Sequence, residues 1–258
     1  MKVVILAGGA GTRLSEETEA KPKPMVEVGG KPMLWHIMKI YSQQGFNDFI
    51  VCLGYKGFVI KEYFHHYDLH LSDVTIDLRT NTTKKLASKA EPWTVTLVDT
   101  GIDTGTGGRM KRVQKYIGDR RFLMTYGDGV ADVDLRKLLR THERKGTAVT
   151  ITAVQSPGRF GTIGFDDHGN VARFQEKPLG SASWINGGFF VCEPEVFRYI
   201  RGGARTMWER EPLAALTRDG RVGAYRHPGF WKPMDTLRDR REMEALWASG
   251  RAPWKIWE

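Results

Sequence analysis

Cysteine is scarce in this chain: only Cys52 and Cys192 occur among its 258 residues. Each lies inside an apolar run, and the two are far apart in sequence. A disulfide framework and a cysteine-rich zinc site both need more cysteines than this, so neither organises the protein. We expect two buried free thiols in a protein of a reducing compartment, which predicts a cytoplasmic location.

Long apolar runs are also missing. The run Val3–Leu6 that precedes the first glycines is shorter than a secretory signal or a membrane span requires, so no membrane association is expected. The formal net charge is +9, from 39 basic and 30 acidic residues, but the basic residues are dispersed among acidic ones. Without a recognised nucleic-acid motif, this excess predicts attraction of small anionic substrates and no binding of nucleic acid.

Two common phosphate-binding signatures are absent from the glycine-rich loop that follows Val3–Leu6. A P-loop would end in Gly-Lys-Ser/Thr, and the dinucleotide fingerprint needs a third glycine where Leu14 stands. What the loop does have is three closely spaced glycines followed by Thr12 and Arg13. Such glycines let backbone N–H groups surround an anion, and an arginine adds a permanently charged fork. This arrangement indicates an enzyme that handles a nucleoside triphosphate.

The wider pattern is that of an α/β protein. Short apolar runs predict buried strands at 3–6, 49–53, 122–126 and 148–154. Between them, helical periodicity is found at 33–44, 59–67, 109–117 and 135–144. Strands that alternate with helices predict a doubly wound, mostly parallel, Rossmann-like sheet. We expect one continuous domain over 1–258 with an elaborated C-terminal half.

Other segments are predicted as additions to that sheet. Val74–Leu78 and Trp93–Val98 alternate in polarity and predict an inserted hairpin or extension. Thr162–Phe165, Val171–Phe174 and Ile185–Val191 predict added strands in the C-terminal half.

Two aspartates are candidate metal ligands. Asp128 lies between two glycines directly after the strand predicted at 122–126, so it shares a sheet edge with the glycine-rich loop. Asp235 precedes a helical pattern. Either carboxylate suits Mg²⁺, but Asp128 equally fits a turn aspartate that bonds its own backbone. Asp235, like Thr236, equally fits a helix N-cap. The residues alone leave these alternatives open.

Longer sequence blocks point to a known family. They are Leu-Ala-Gly-Gly-x-Gly-Thr-Arg-Leu at 6–14, Lys-Pro-Met-Val at 23–26 and Gly-Gly-Lys-Pro-Met-Leu at 29–34. Together they resemble the sugar-1-phosphate nucleotidylyltransferases. Two further blocks, Thr-Tyr-Gly-Asp-Gly at 125–129 and His-Pro-Gly-Phe-Trp-Lys-Pro-Met-Asp at 227–235, are similar to the cytidylyltransferases of that family that act on glucose 1-phosphate. The resemblance covers essentially the whole chain.

The resemblance implies transfer of a cytidylyl group from CTP to glucose 1-phosphate, with Mg²⁺ as cofactor held by Asp128 and Asp235. It implies that the catalytic residues are Arg13, Lys23 and Asp128, although Lys21 competes with Lys23 on spacing alone. The nucleotide is expected to contact Leu6, Ala7, Gly8, Gly9, Gly11, Thr12, Arg13, Lys23, Thr104, Gly107, Gly108, Arg109 and Gly127. The sugar phosphate is expected to contact Gly161, Glu176, Lys177, Asn186 and Gly187.

Several alternatives keep the same fold. The scaffold would transfer uridylyl, thymidylyl or guanylyl groups by the same chemistry, and a non-catalytic subunit that binds sugar nucleotides would share the architecture. The resemblance implies a homo-oligomer, and the tryptophans at 247, 254 and 257 suit either an oligomer contact or packing within one subunit. His66 and His70 are spaced for metal binding on a helix, but without further ligands they are interpreted as a solvated helix end.

Overall fold

The structure is a computed structural model that describes residues 1–9, 11, 19–155, 162–165, 171–175 and 184–258. Its strands are β1 (Lys2–Leu6), β2 (Glu27–Val28), β3 (Lys31–Pro32), β4 (Asp48–Leu53), β5 (Ser72–Asp77), β6 (Thr82–Ser88), β7 (Thr94–Asp99), β8 (Phe122–Tyr126), β9 (Gly129–Ala131), β10 (Val149–Gln155), β11 (Thr162–Phe165), β12 (Val171–Gln175), β13 (Trp184–Cys192), β14 (Val222–His227) and β15 (Trp231–Pro233). Its α-helices are α1 (Met33–Ser42), α2 (Gly57–His70), α3 (Thr106–Ile117), α4 (Leu135–Lys145), α5 (Glu211–Arg218) and α6 (Leu237–Ala248). Short 3₁₀ helices cover Lys23–Met25 and Pro194–Arg198.

Seven strands form the central sheet, in the order β14-β10-β13-β8-β1-β4-β7. All neighbours in it are parallel except β13, which runs antiparallel to both β10 and β8. The predicted mostly parallel α/β sheet is therefore confirmed. Strand β1 lies between β8 and β4, and its β-branched residues Val3, Val4 and Ile5 are completely buried.

Helices cover both faces of this sheet. Side chains alternate across a strand, so Val3 and Ile5 of β1 pack into one layer while Val4 and Leu6 pack into the other. The first layer contains apolar residues of α1 and α4, and the second contains those of α3 and α5. Burial of apolar surface on both faces stabilises the doubly wound arrangement and explains the continuous apolar runs of its strands.

One strand lies elsewhere than the sequence pattern predicts. Residues 185–191, expected as an added strand, belong to β13 in the interior of the sheet, where Phe189 and Phe190 pair with residues of β8. Of the segment 93–98, expected as an inserted hairpin or extension, residues 94–98 belong to the edge strand β7, which extends the sheet parallel to β4. Polarity alternation shows that one face of a strand is exposed, but it does not identify the neighbouring strand.

The predicted inserted hairpin is built from β5 and β6 instead. Residues 72–77 pair antiparallel with 82–88, and every residue of β6 is exposed. Strands β11 and β12 form another antiparallel pair, as expected for 162–165 and 171–174. Within the described parts of the chain, none of the helices has the length and apolar character needed to cross a bilayer.

Four loops converge at one edge of the sheet. Because β1, β4, β7 and β8 are parallel, the segments that follow them emerge on the same side. The loop after β1 is bound to its neighbours through the backbone: the Ala7 N–H donates to the Cys52 carbonyl at 3.0 Å, and the Gly127 N–H donates to the Leu6 carbonyl at 3.1 Å. Ligands of open parallel sheets bind at this carboxyl edge.

Candidate active site

A cavity of about 590 Å³, within the range of small-ligand sites, opens at this edge. Its wall combines backbone of the glycine-rich loop with charged and polar side chains from later parts of the chain. The lining residues are Leu6, Ala7, Gly8, Gly9, Gly11, Lys23, Pro24, Thr104, Gly105, Thr106, Arg109, Tyr126, Gly127, Asp128, Met207 and Asp235. Residues predicted from widely separated motifs therefore meet in one cavity.

Lys23 joins the two aspartates predicted to bind metal. Its Nζ donates to Oδ2 of Asp128 and to Oδ1 of Asp235, each at 2.7 Å. Burial alone lowers the pKa of a lysine, but attraction by Asp128 and hydrogen bonds to both carboxylates raise the pKa of Lys23 above its ordinary value. The ammonium group stays charged and gathers two carboxylates from distant parts of the chain at one point of the cavity.

Backbone pairing places Asp128 beside Asp235. Strand β9, which follows Asp128, pairs antiparallel with β15, which precedes Asp235. The N–H of Met234 then donates to the carbonyl of Asp128 at 2.8 Å. The short ladder thus holds the backbones that carry the two carboxylates next to each other.

Thr236 caps helix α6, which removes one alternative for Asp235. The Thr236 hydroxyl accepts from the Asp239 N–H at 3.2 Å, and the Asp239 carboxylate accepts from the Thr236 N–H at 2.9 Å. This reciprocal pair is a capping box. The side chain of Asp235 is left to accept from Lys23 in the cavity.

Lys21 lies outside the cavity. Its Nζ donates to Glu27 at 2.9 Å, and it does not belong to the lining. Lys23 begins the 3₁₀ turn that follows Pro22, and the turn closes where the Met25 N–H donates to the Pro22 carbonyl at 2.7 Å. Of the two lysines that spacing alone allowed, the geometry favours Lys23.

Arg109 connects the segments at this edge of the sheet through hydrogen bonds. Its side chain is almost fully buried, and its pKa is lowered by that burial, yet a guanidinium remains charged. Within the described part of the chain it forms no ion pair with a carboxylate. Instead it donates at 2.7–3.2 Å to five acceptors, namely the carbonyls of Gly8, Leu53, Gly101 and Ile102 and the hydroxyl of Thr100.

Gly107 and Gly108 lie behind the cavity wall, whereas Thr104 forms part of it. A β-carbon on Gly108 would fall 2.0 Å from the Ala204 carbonyl, and one on Gly107 would fall 3.1 Å from the Thr206 carbonyl. The Gly108 N–H also donates to that Thr206 carbonyl at 3.1 Å. Both glycines permit close packing of α3 against residues 204–206, and neither lines the cavity.

Asn186 and Gly187 lie near the start of β13. The Asn186 Nδ2 donates to the Tyr126 hydroxyl at 3.2 Å, and the Gly187 carbonyl accepts from the Trp231 indole N–H at 2.7 Å. Since Tyr126 lines the cavity, Asn186 is joined to its wall through that tyrosine. The other predicted site residues, Thr12, Arg13, Gly161, Glu176 and Lys177, lie outside the described residues.

Six residues of this region are absent from the predicted site residues. Pro24, Gly105, Thr106, Tyr126 and Met207 line the cavity, and Glu209 bonds the hydroxyl of Tyr126. Tyr126 stands directly before the Gly-Asp-Gly motif, so its position in sequence is a usable signal. Met207 and Glu209 come from a stretch without any recognised motif, and only the folded chain reveals them.

The donor set fits one hard cation shared with a bound polyphosphate. Among the described residues, no group of three or more His, Cys, Asp or Glu side chains is arranged to hold a metal ion, and His66 and His70 are both exposed. Asp128 and Asp235 supply two carboxylates at one point. Mg²⁺ is commonly bound by one or two carboxylates together with substrate phosphates, whereas structural zinc needs four protein ligands.

A sheet edge that presents glycine backbone, a lysine and paired carboxylates to one cavity suits a nucleotide and its phosphates. The fold and the site thus define an α/β nucleotide-binding protein. More particularly, the chain belongs to the nucleotidyl transferase family, whose sequence model matches residues 2–221.

Relatives over the full length have more specific names. The glucose-1-phosphate cytidylyltransferase of Salmonella typhi is 57% identical over 259 residues, with 100% of each chain covered. A protein of Bacillus subtilis (strain 168), named a probable glucose-1-phosphate cytidylyltransferase, is 47% identical over 257 residues, again with 100% of each chain covered. Among solved structures, HddC from Yersinia pseudotuberculosis matches with a TM-score of 0.70 at 24% identity, covering 95% of this chain and 99% of that one. This last likeness concerns the fold alone.

Proposed function

We propose that the protein transfers a cytidylyl group from CTP to α-D-glucose 1-phosphate, giving CDP-glucose and pyrophosphate. Similarity to glucose-1-phosphate cytidylyltransferases over the whole chain supports this choice of substrates. The geometric observation that carries the proposal is the position of Lys23 between Asp128 and Asp235, beside the glycine-rich loop. A non-catalytic subunit that only binds sugar nucleotides has no use for a pair of metal-binding carboxylates.

The proposed reaction is an in-line displacement at phosphorus. An oxygen of glucose 1-phosphate forms a bond to the α-phosphorus of CTP, while the bond from that phosphorus to the pyrophosphate oxygen breaks. The attacking oxygen is already anionic, so no general base is required. Catalysis then consists of positioning the two phosphates and neutralising the charge that grows on pyrophosphate.

Each charged residue has a distinct part in this proposal. Lys23 is assigned to the α-phosphate and the attacking sugar phosphate, because its ammonium group lines the described cavity beside the two candidate metal ligands. Arg13 is assigned to the leaving pyrophosphate and Lys177 to the glucose 1-phosphate, both from the family resemblance. Backbone N–H groups of the glycine-rich loop are expected to bind the triphosphate.

Asp128 and Asp235 are the residues that would hold Mg²⁺. Their side chains are 36% and 21% exposed, and both line the cavity. When bound, the ion supplies charge neutralisation at phosphate oxygens. The carboxylates are already oriented for a shared cation, because one oxygen of each lies 2.7 Å from the same ammonium nitrogen.

The test is pyrophosphate release from glucose 1-phosphate and Mg²⁺ with CTP, UTP, dTTP, GTP and ATP in parallel reactions. The proposal expects clear preference for CTP. Preference for another triphosphate would retain the chemistry and reject the base assignment. Absence of release with all five triphosphates would reject turnover of glucose 1-phosphate altogether.

A homo-oligomer belongs to this proposal. The hairpin of β5 and β6 leaves Ile76, Leu78 and Leu86 exposed by 53%, 88% and 62% of their surface, and this apolar surface supports a contact with a second copy of the chain. Trp254 is completely buried against Phe230 and Trp247, which supports a packing role within the chain for the C-terminal tryptophans. Light scattering coupled to size exclusion tests the proposal, and a mass equal to one chain would reject it.

A further inference from the structure

Glu209 joins two parts of the cavity wall that are distant in sequence. One carboxylate oxygen accepts a hydrogen bond from the Tyr126 hydroxyl, and the other accepts from the Thr106 hydroxyl, both at 2.6 Å. Tyr126 and Thr106 line the cavity, whereas Glu209 stands outside its lining. Short O–H···O⁻ bonds of this kind are charge-assisted and stronger than bonds between neutral groups.

The Thr106 end of this bridge lies among residues predicted to contact the nucleotide. Thr106 is the first residue of α3 and lies two positions after Thr104. Its hydroxyl oxygen also accepts from the Trp208 N–H at 2.8 Å, and the Gly105 N–H donates to the Ala204 carbonyl at 2.9 Å. Residues 204–209 therefore support the start of α3 at Gly105 and Thr106.

The Tyr126 end reaches the strand predicted to bind the sugar phosphate. The Tyr126 hydroxyl accepts from Asn186 Nδ2 at 3.2 Å while it donates to Glu209. Its ring packs edge-on against Phe190 of β13 with centroids 5.8 Å apart, and a β-carbon on Gly188 would lie 2.7 Å from the ring.

The negative charge of Glu209 is unfavourable beside a cavity that binds phosphates. A negative charge close to a cavity for phosphates opposes their binding, and within the described residues no cation forms an ion pair with Glu209. What a carboxylate offers instead is two acceptor oxygens on one rigid group, one for each hydroxyl. A glutamine replaces one of these oxygens with an NH₂ donor, so it cannot accept one hydroxyl bond on each terminal atom as Glu209 does.

We propose that Glu209 is a positioning residue that couples the nucleotide-binding wall of the cavity to the sugar-phosphate-binding wall. The inference rests on the proposed function for the identity of the two substrates. Hydrogen bonds run without a break from Thr106 through Glu209 and Tyr126 to Asn186. Because Glu209 acts through these hydroxyls, its loss impairs binding of both substrates although it contacts neither.

The experiment compares Glu209→Ala and Glu209→Gln with the wild-type protein, and uses Glu211→Gln as the matched control. Glu211 is an exposed acid two residues away, at the start of α5 and off the cavity lining. Initial rates are measured over a grid of CTP and glucose 1-phosphate concentrations, with the melting temperature recorded for each protein. We expect Glu209→Ala to raise KM for both substrates about tenfold, the loss that corresponds to one charge-assisted hydrogen bond. The KM values of Glu209→Gln should lie between those of the wild type and those of Glu209→Ala, and the KM values of Glu211→Gln should match the wild type.

A second comparison separates coupling from general destabilisation. Tyr126→Phe removes the same bond from its other end, together with the Asn186 bond to that hydroxyl, so in the double variant Tyr126→Phe/Glu209→Ala the combined effect on KM should be less than the sum of the two single effects. A lowered melting temperature with both KM values unchanged would show a merely structural role and overturn the proposal. A rise in KM for one substrate only would also overturn it. Lack of turnover in the wild-type protein is a different result, since it rejects the proposed function and this inference with it.

Discussion

The guanidinium of Arg109 donates a hydrogen bond of 2.9 Å to the carbonyl of Gly8, the residue that begins the glycine-rich loop after β1. Neither Gly8 nor Gly54 has room for a side chain here: a β-carbon would lie 2.1 Å or 2.6 Å from Nη1 of Arg109. The arginine thus fills the space that two glycines leave and binds the loops of the sheet edge to one another. Its contribution to the site is made through the backbone that forms the cavity wall.

This relationship predicts the effect of Arg109→Lys. A lysine has one nitrogen and cannot satisfy five acceptors, so buried carbonyls lose their donors. We expect the free energy of unfolding to fall by about 2–3 kcal/mol, the cost of leaving such groups unsatisfied, with a raised KM for CTP. Urea denaturation measures the first effect and steady-state kinetics the second. The exposed Arg136→Lys is the control, and an unchanged unfolding free energy in Arg109→Lys would contradict the prediction.

The two lysines near the loop give a direct comparison. Lys23→Met removes the ammonium group that both aspartates contact, whereas Lys21→Met removes only a partly exposed ion pair with Glu27. We expect Lys23→Met to lower kcat by at least about 100-fold, as for other groups that stabilise charge in the transition state. The kcat of Lys21→Met should stay close to that of the wild type. Pyrophosphate release at saturating CTP is the measurement, and the reverse order of the two variants would transfer the proposed role to Lys21.

Asp128→Asn tests the carboxylate pair. The substitution keeps the shape of the side chain and removes its charge, so Asp235 alone would be left to hold the cation. We expect most Mg²⁺-dependent turnover to disappear, and the rise in melting temperature on adding Mg²⁺ with CTP to shrink. Asp119→Asn, in an exposed loop, is the matched control. Near-normal Mg²⁺-dependent rates in Asp128→Asn would exclude Asp128 from the site.

Sequence reasoning predicts the functional residues that lie within short, contiguous motifs. The glycine-rich loop, Lys23 and the two aspartates each lie in a short motif, and the motif identifies the residue before its neighbours are known. The position of β13 inside the sheet could not be predicted in this way, because an apolar run indicates that a strand is buried but not which strand lies beside it. The role of Glu209 cannot be predicted from a local motif either, because its partners Thr106 and Tyr126 are 103 and 83 residues away.

Arg109 illustrates a further limit. Its motif indicated contact with the nucleotide, and it does line the cavity. Its guanidinium, however, bonds backbone carbonyls of two loops and of the last residue of β4. No pattern along the chain predicts contacts of this kind, because a backbone carbonyl is present at every residue and only the fold selects among them.

Gly108→Ala tests the packing of α3. The new methyl group would meet the Ala204 carbonyl at 2.0 Å, and a backbone atom cannot move aside as the end of a side chain can. We expect a loss of about 2 kcal/mol or more in unfolding free energy, typical of an overpacked interior. Gly129→Ala is the control, since the nearest atom to its methyl group would be 3.7 Å away. Equal melting temperatures for the two variants would contradict this account.

The burial of His36 leads to a prediction of how the free energy of unfolding depends on pH. It is completely buried among the C-terminal tryptophans, its Nε2 donates to the Val28 carbonyl at 2.8 Å, and its Nδ1 accepts from the Trp254 indole at 3.4 Å. Both contacts suit the neutral ring. Burial lowers the pKa of His36 from 6.5 to about 4, so between these values the unfolded chain binds a proton that the folded chain does not.

Stability associated with His36 is therefore complete above pH 6.5 and falls as the pH decreases towards 4. The total loss should reach at most about 3.5 kcal/mol, since each pH unit in this interval contributes about 1.4 kcal/mol. Urea denaturation of the wild type and of His36→Gln at several pH values measures this. The variant should be less stable at pH 7 but show a flatter decline below pH 6.5, because other acid-titrating groups, His142 among them, contribute equally to both proteins. Parallel curves for the two proteins would mean that His36 does not titrate in this way.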